Sequence, residues 1–231
     1  MLLLVAGLQS AWGQKMIVTL DDDSKVEYDI TRVKEVTFVE TAPEEQHEWV
    51  DLGLPSGTLW ATCNVGASSP EEYGDYFAWG ETVQREDYTP AAYAYNNIME
   101  TITAYNAQSD DRCLLPEYDA ATANLGTEWR MPTREEFDEL YRETTFVWTT
   151  LNGVEGRLLT GRNGNSIFLP ATGFYLDDKL ICTGLGIYWS SSLQTTSQVS
   201  AWSLHFDYEN CHVCATYERS RGQCVRAVRA L

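Results

Sequence analysis

Residues 134–142 carry the clearest period in the chain. Phe137, Leu140 and Tyr141 stand at i, i+3 and i+4, while Arg134, Asp138 and Arg142 fall on the other side, which predicts an amphipathic helix with one buried stripe. Its start is marked just upstream. The Thr133 side chain can accept from the N–H of Glu136, and the Glu136 carboxylate can reach back to the N–H of Thr133, a reciprocal capping box. Glu135 and Glu136 also place negative charge on the positive end of the helix dipole. Further on, the period falls to two. Trp202, Leu204 and Phe206 alternate with Ala201, Ser203 and His205, a half-buried strand, and Val213, Ala215 and Tyr217 alternate after it. Gly161-Arg162-Asn163-Gly164-Asn165 predicts a turn into an extended segment at 166–170, and the Arg-rich segment around Val225 and Val228 predicts a closing strand.

The N-terminal part has its own pattern. Residues 16–20 and 25–30 are rich in β-branched residues and flank the acidic turn Asp21-Asp22-Asp23-Ser24, which predicts a hairpin, with a third extended piece at 33–39. Residues 41–47 are polar and interrupted by Pro43, a linker. Residues 1–13 combine a short apolar run with the small-x-small site Ala11-Trp12-Gly13, as in a secretion signal, so the organisation expected is signal 1–13, β-hairpin module 14–40, linker 41–47 and main domain 48–231. In that domain Leu59-Trp60-Ala61 reads as a strand. Ser69-Pro70-Glu71-Glu72 predicts a turn or two of capped helix before Gly74, and residues 119–126 a short helix capped by Asp119 and ended by Gly126. Residues 80–118 read as a long loop.

Composition narrows the function classes. A formal charge of −18 over 231 residues disfavours nucleic acid and anionic membranes, and the apolar run at the start is too short to span a bilayer. An exported chain permits disulfides among Cys63, Cys113, Cys182, Cys211, Cys214 and Cys224, without fixing their pairing. Cys211-His212-Val213-Cys214 with His205 offers sulfur and nitrogen donors, but a second CxxC at zinc-ribbon spacing is missing, and no cofactor is expected. No Gly-x-Ser-x-Gly elbow or HExxH occurs.

Several strings carry a family resemblance. Trp129-Arg130-Met131-Pro132-Thr133-Arg134-Glu135-Glu136 resembles the W-R-[LM]-P-T-x-x-E signature of formylglycine-generating-enzyme-like domains, a branch of the C-type lectin fold. Residues 50–61, 73–81, 168–173, 188–192 and 222–229 resemble, in order, the Fibrobacter succinogenes major paralogous domains found in secreted Bacteroidetes proteins. The resemblance implies a loop-rich α+β domain of C-type-lectin-like, formylglycine-generating-enzyme-like type, in which the strand at Leu59-Trp60-Ala61 lies beside the closing strand at 224–228. The enzymes of that branch oxidise a substrate cysteine with a copper-binding cysteine pair, spaced more widely than Cys211 and Cys214. The Glu-Pro-Asn, Gln-Pro-Asp and Trp-Asn-Asp strings of calcium-dependent lectins do not occur. The expectation is therefore a non-enzymatic domain, secreted, periplasmic or at the cell surface, binding a carbohydrate or protein ligand. Its candidate contacts, in the polar segment 194–221, are Tyr208, Glu209, Asn210, Tyr217 and Arg219. The alternatives are a formylglycine-generating-type oxidoreductase and a structural envelope or adhesin subunit.

Overall fold

The computed structural model of the chain describes residues 15–19, 25–29, 48–95, 113–194, 197 and 199–230, with the side chains of 16, 18, 19, 28 and 214 outside the description. The chain divides into two compact units, Met1–Glu45 and Gln46–Leu231. In the first, β1 (Lys15–Thr19) and β2 (Lys25–Asp29) pair antiparallel from Lys15↔Asp29 to Thr19↔Lys25, the hairpin expected around the acidic turn. Lys15 and Glu27 form a 2.6 Å ion pair across it, of small value because both groups stand in water. The expected signal, third extended piece and linker lie outside the described residues.

The second unit runs, in chain order, through β3 (Trp49–Asp51), β4 (Leu59–Asn64), a 3-10 turn (Pro116–Tyr118), α1 (Ala120–Leu125), α2 (Arg134–Glu143), β5 (Thr145–Leu151), β6 (Val154–Thr160), β7 (Ser166–Pro170), β8 (Phe174–Leu176), β9 (Lys179–Ile181), β10 (Gly186–Leu193), β11 (Ser200–Phe206), β12 (Cys211–Glu218) and β13 (Arg226–Arg229). The strands form sheets in the orders β13-β4-β3, β5-β6-β7, β8-β9 and β10-β11-β12, every pair antiparallel. This overturns the expected α+β, lectin-like class: strands make up 44% and helices 11% of the described residues. Two stretches show this locally. The Ser69 signal makes only a turn, in which the Glu72 carboxylate accepts the N–H groups of Ser68 and Ser69 at 2.7 and 3.3 Å. The chain then doubles back at Gly74, where φ is 70° and a Cβ would sit 2.3 Å from the Val65 carbonyl oxygen. Residues 145–181, meanwhile, fold into a three-stranded sheet and a separate hairpin. Among the described residues no helix is long and apolar enough to cross a membrane.

The two ends of the unit meet as expected. β13 pairs with β4, with Val228 opposite Trp60 and Arg226 opposite Asn64. Arg130 is bridged to Val228 in turn, by N–H···O bonds of 3.0 and 2.9 Å, so the approach to α2 is tied to the closing strand. Arg226 is fully buried, and it donates to the Asn64 side-chain oxygen at 2.9 Å and to the carbonyls of Ala61 (3.0 Å), Thr62 (2.8 Å) and Phe168 (2.9 Å). One guanidinium thus binds β4, β7 and β13 together. Burial pushes its pKa down from the usual guanidinium range, and carbonyl dipoles take the place of a counter-ion.

The capping box forms as predicted. Thr133 Oγ1 accepts from Glu136 N–H at 3.1 Å, and the Glu136 carboxylate accepts from Thr133 N–H at 2.8 Å. Glu136 also takes both arms of the Arg130 guanidinium, at 2.7 and 2.5 Å. Burial opposes its charge, but the Arg130 bonds and charge, with Thr133 and Thr58, outweigh burial and hold it below the usual carboxylate range. Phe137 and Leu140 are buried, and the Phe137 ring lies 5.6 Å from that of Trp60. Much of the aromatic load is core: Trp60, Trp79, Trp129 and Trp189 are all buried. The indoles of Trp79 and Trp189 donate to the carbonyls of Ser190 and Phe77, each at 2.8 Å, which satisfies their N–H groups inside the core.

Two expectations change in detail. β11 is covered on both faces, with Ala201 and Ser203 as buried as Leu204 and Phe206, so its alternation separates two packed sides and not core from water. The loop reading of 80–118 holds for 80–95, which is pinned by tyrosine hydroxyls: Tyr88 donates to the Tyr76 carbonyl and Tyr93 to that of Trp79, both at 2.6 Å. Residues 96–112 lie outside the description.

Candidate binding surface

The turn joining β11 to β12, residues 207–210, is built as a rigid unit. Asp207 Oδ1 accepts the N–H groups of Glu209 and Asn210 at 2.7 and 2.6 Å, and Asp207 N–H donates to the Asn210 carbonyl at 3.0 Å. The backbone bond from Asn210 is the main force holding the Asp207 carboxyl below its usual range, so it is ionised at neutral pH. Beneath the turn lies Arg157 of β6, a buried side chain. Its guanidinium donates to the carbonyls of Asp207 (3.1 and 2.7 Å), Tyr208 (3.2 Å) and Asn210 (3.4 Å), and to that of Phe146 (3.2 Å). Three turn carbonyls therefore point inward at one cation, which leaves the Tyr208 side chain facing out.

Tyr208 is 71% exposed. Its ring centroid lies 6.1 Å from that of the half-buried Trp148 on β5, with the planes at 80°. Trp148 rests in turn on Phe206, at 6.4 Å and 74°, so the exposed ring is backed by the core.

The five residues expected as contacts do not share one surface. Tyr208, Glu209 and Asn210 sit together on this turn, all exposed. Tyr217 and Arg219 lie at the opposite end of β12, roughly 20 Å away at strand rise. Arg219 is buried, its guanidinium 4.8 Å over the Trp79 ring and its Nε donating to the Ser200 carbonyl at 3.0 Å, so it braces the core. Tyr217 is half-buried, with its hydroxyl 3.1 Å from His205 Nδ1 and its ring 5.5 Å from Phe174. The partner that the sequence reading missed is Trp148, together with Arg157 under the turn. The alternation of Phe146 and Trp148 with threonine and valine marks a strand, but nothing local says which turn the strand meets.

Of the Cys-His cluster, the side chains of Cys211, His212 and His205 are described and that of Cys214 is not. Cys211 opens β12 and is part-buried. Burial pushes its thiol up to about 12, with Asp207 adding to the rise and Arg157 opposing it. His205 stands opposite His212, ring centroids 5.9 Å apart, and burial first, then His212, holds it below the usual imidazole range. β12 also carries a bulge: Ser203 pairs with Ala215 but His205 with His212, so Val213 and Cys214 together oppose Leu204 and strict alternation across Cys211 and Cys214 is broken. Among the described residues no group of three His, Cys, Asp or Glu gathers to hold a metal. Cys182 is exposed, whereas Cys224 is buried, donates to the Tyr73 carbonyl at 3.2 Å and is pushed up to about 12, chiefly by burial. Iodoacetamide at pH 8 is expected to modify Cys182 well before Cys211 or Cys224 in the native protein, because only the thiolate reacts. Mass spectrometry of timed digests measures this order, and rapid labelling of Cys211 would contradict its placement.

A shallow cleft of 190 Å³ lies between Thr62, Pro70, Leu151, Leu158 and Phe168. It falls below the roughly 300 Å³ at which small-molecule sites begin, which leaves the turn as the stronger candidate. In comparisons with known proteins, no family model, no curated protein and no solved structure matches this chain.

Proposed function

We propose that this chain is an exported, non-enzymatic binding module that recognises a carbohydrate or protein ligand through Tyr208 and the neighbouring Trp148. The observation that carries the reading is the carbonyl clamp of Arg157, which holds an exposed tyrosine in one backbone conformation. A rigid aromatic on a fixed turn binds without the ordering cost of a loose loop, and Tyr and Trp are the residue types that dominate binding hot spots. A cysteine oxidase is the weaker reading, since Cys211 and Cys214 are spaced more closely than the copper-binding pair of the enzymes that the sequence resembles. The test probes a glycan array and a peptide array with the full chain and with Tyr208→Ala, which leaves the turn backbone and its Arg157 bonds in place. Ligands held by the parent protein are expected to bind the variant at least about tenfold more weakly, with the melting temperature unchanged. Equal binding by both proteins would discard this surface.

A further inference from the structure

Two rings at 80° form a corner, not a platform. A pyranose stacks on one flat aromatic face, and perpendicular rings cannot both lie against the same sugar face. In a T-shaped pair the edge of one ring meets the face of the other, so the open face of the exposed Tyr208 ring is what is left to receive a compact cation. The charges around it agree. Glu209, next to Tyr208, is exposed. On β6, Arg157 pairs with Trp148 and Glu155 with Thr150, so the exposed Glu155 projects from the same sheet face as Trp148. Against Asp207, Glu209 and Glu155 stands Arg157, whose donors are spent on carbonyls, so carboxylates outnumber cations at the corner. The whole chain, at −18, draws in cationic partners and repels anionic ones.

We infer that the Tyr208–Trp148 corner receives the Lys or Arg side chain of a basic protein segment, with Glu209 and Glu155 as its counter-charges. This rests on the binding reading above and narrows its ligand from carbohydrate or protein to a basic peptide. Tyr208 supplies the exposed ring face, Trp148 buttresses it, and the carboxylates fix the sign of what enters.

The test measures the full chain by biolayer interferometry against immobilised Lys-Ala, Arg-Ala and Glu-Ala repeat octapeptides and against mannan and galactan. The Lys and Arg peptides are expected to bind and the Glu peptide and neutral glycans not to, with affinity falling as salt is raised. Tyr208→Ala and Glu209→Gln are each expected to weaken binding about three- to tenfold, while Tyr208→Phe, which keeps the ring, binds as the parent does. Glu86→Gln, at an exposed carboxylate outside the corner, is expected to change nothing. Equal weakening by Glu86→Gln and Glu209→Gln would overturn the inference in favour of bulk charge. Glycan binding that Tyr208→Ala abolishes, with no peptide bound, would overturn the cation while keeping the surface. Peptide binding indifferent to Tyr208→Ala would overturn both.

Discussion

Exchanging Arg226 for Met is expected to cost the main unit at least about 4 kcal/mol of stability, read as a collapse of the urea midpoint. The reason lies in what stays behind. Met fills the volume, but the Asn64 side-chain oxygen and the carbonyls of Ala61, Thr62 and Phe168 lose the guanidinium that donates to them. Each such buried acceptor costs about 1–3 kcal/mol unpaired. Replacing a whole buried ionic set by apolar groups can be harmless, but here only one side of the set is replaceable, because three of the four acceptors are backbone. Arg226→Lys keeps a charge and three donors without the planar fork, so it is expected to fall between parent and Met variant. An unchanged midpoint for Arg226→Met would remove the guanidinium from the account of what joins β4, β7 and β13.

Phe137→Ala is expected to cost about 3–5 kcal/mol, against about 1 kcal/mol for Thr133→Ala. Phe137 is 1% exposed and lies against Trp60, so truncation opens a cavity beneath β4. Thr133→Ala loses one side-chain acceptor, while Glu136 stays clamped by Arg130. Parallel urea titrations of the two variants give the order directly. Thr133→Ala as the worse of the pair would mean that the helix is held by its end and not by its buried face.

These two residues also mark what the chain discloses by itself. The start of α2 was legible because both halves of a capping box lie within three residues, and the N-terminal hairpin because its turn and its strands are contiguous. The closing strand was placed through motif order, which carried information across the whole unit. The strand-dominated class was not legible, since the strands over 145–160 and 174–181, which weight the fold towards β, were not read from the sequence. Arg219 was misjudged too: beside Tyr217 it resembles a surface hot spot, and the Trp79 ring that covers it comes from 140 residues earlier in the chain. Trp148 and Arg157 were overlooked because their partners are the atoms of a turn about 50 residues downstream, and pairing at that range leaves no local trace.

The pairing of β13 with β4 has a consequence for the order in which this protein acquires its structure. Val228 meets Trp60, and Arg226 reaches Ala61 at a separation of 165 residues. The hairpins β5-β6-β7 and β10-β11-β12 can form as they emerge from synthesis, since their partners are close neighbours in the chain. The sheet that locks the unit must wait for its last strand. Until then β4 has no partner on that side and the carbonyls reserved for Arg226 have only water as donor. Contacts of such long range are slow to form, because the loop must be closed before the pairing repays it. The nascent chain therefore passes through a long interval with an open β edge, the state in which strands of different molecules find one another.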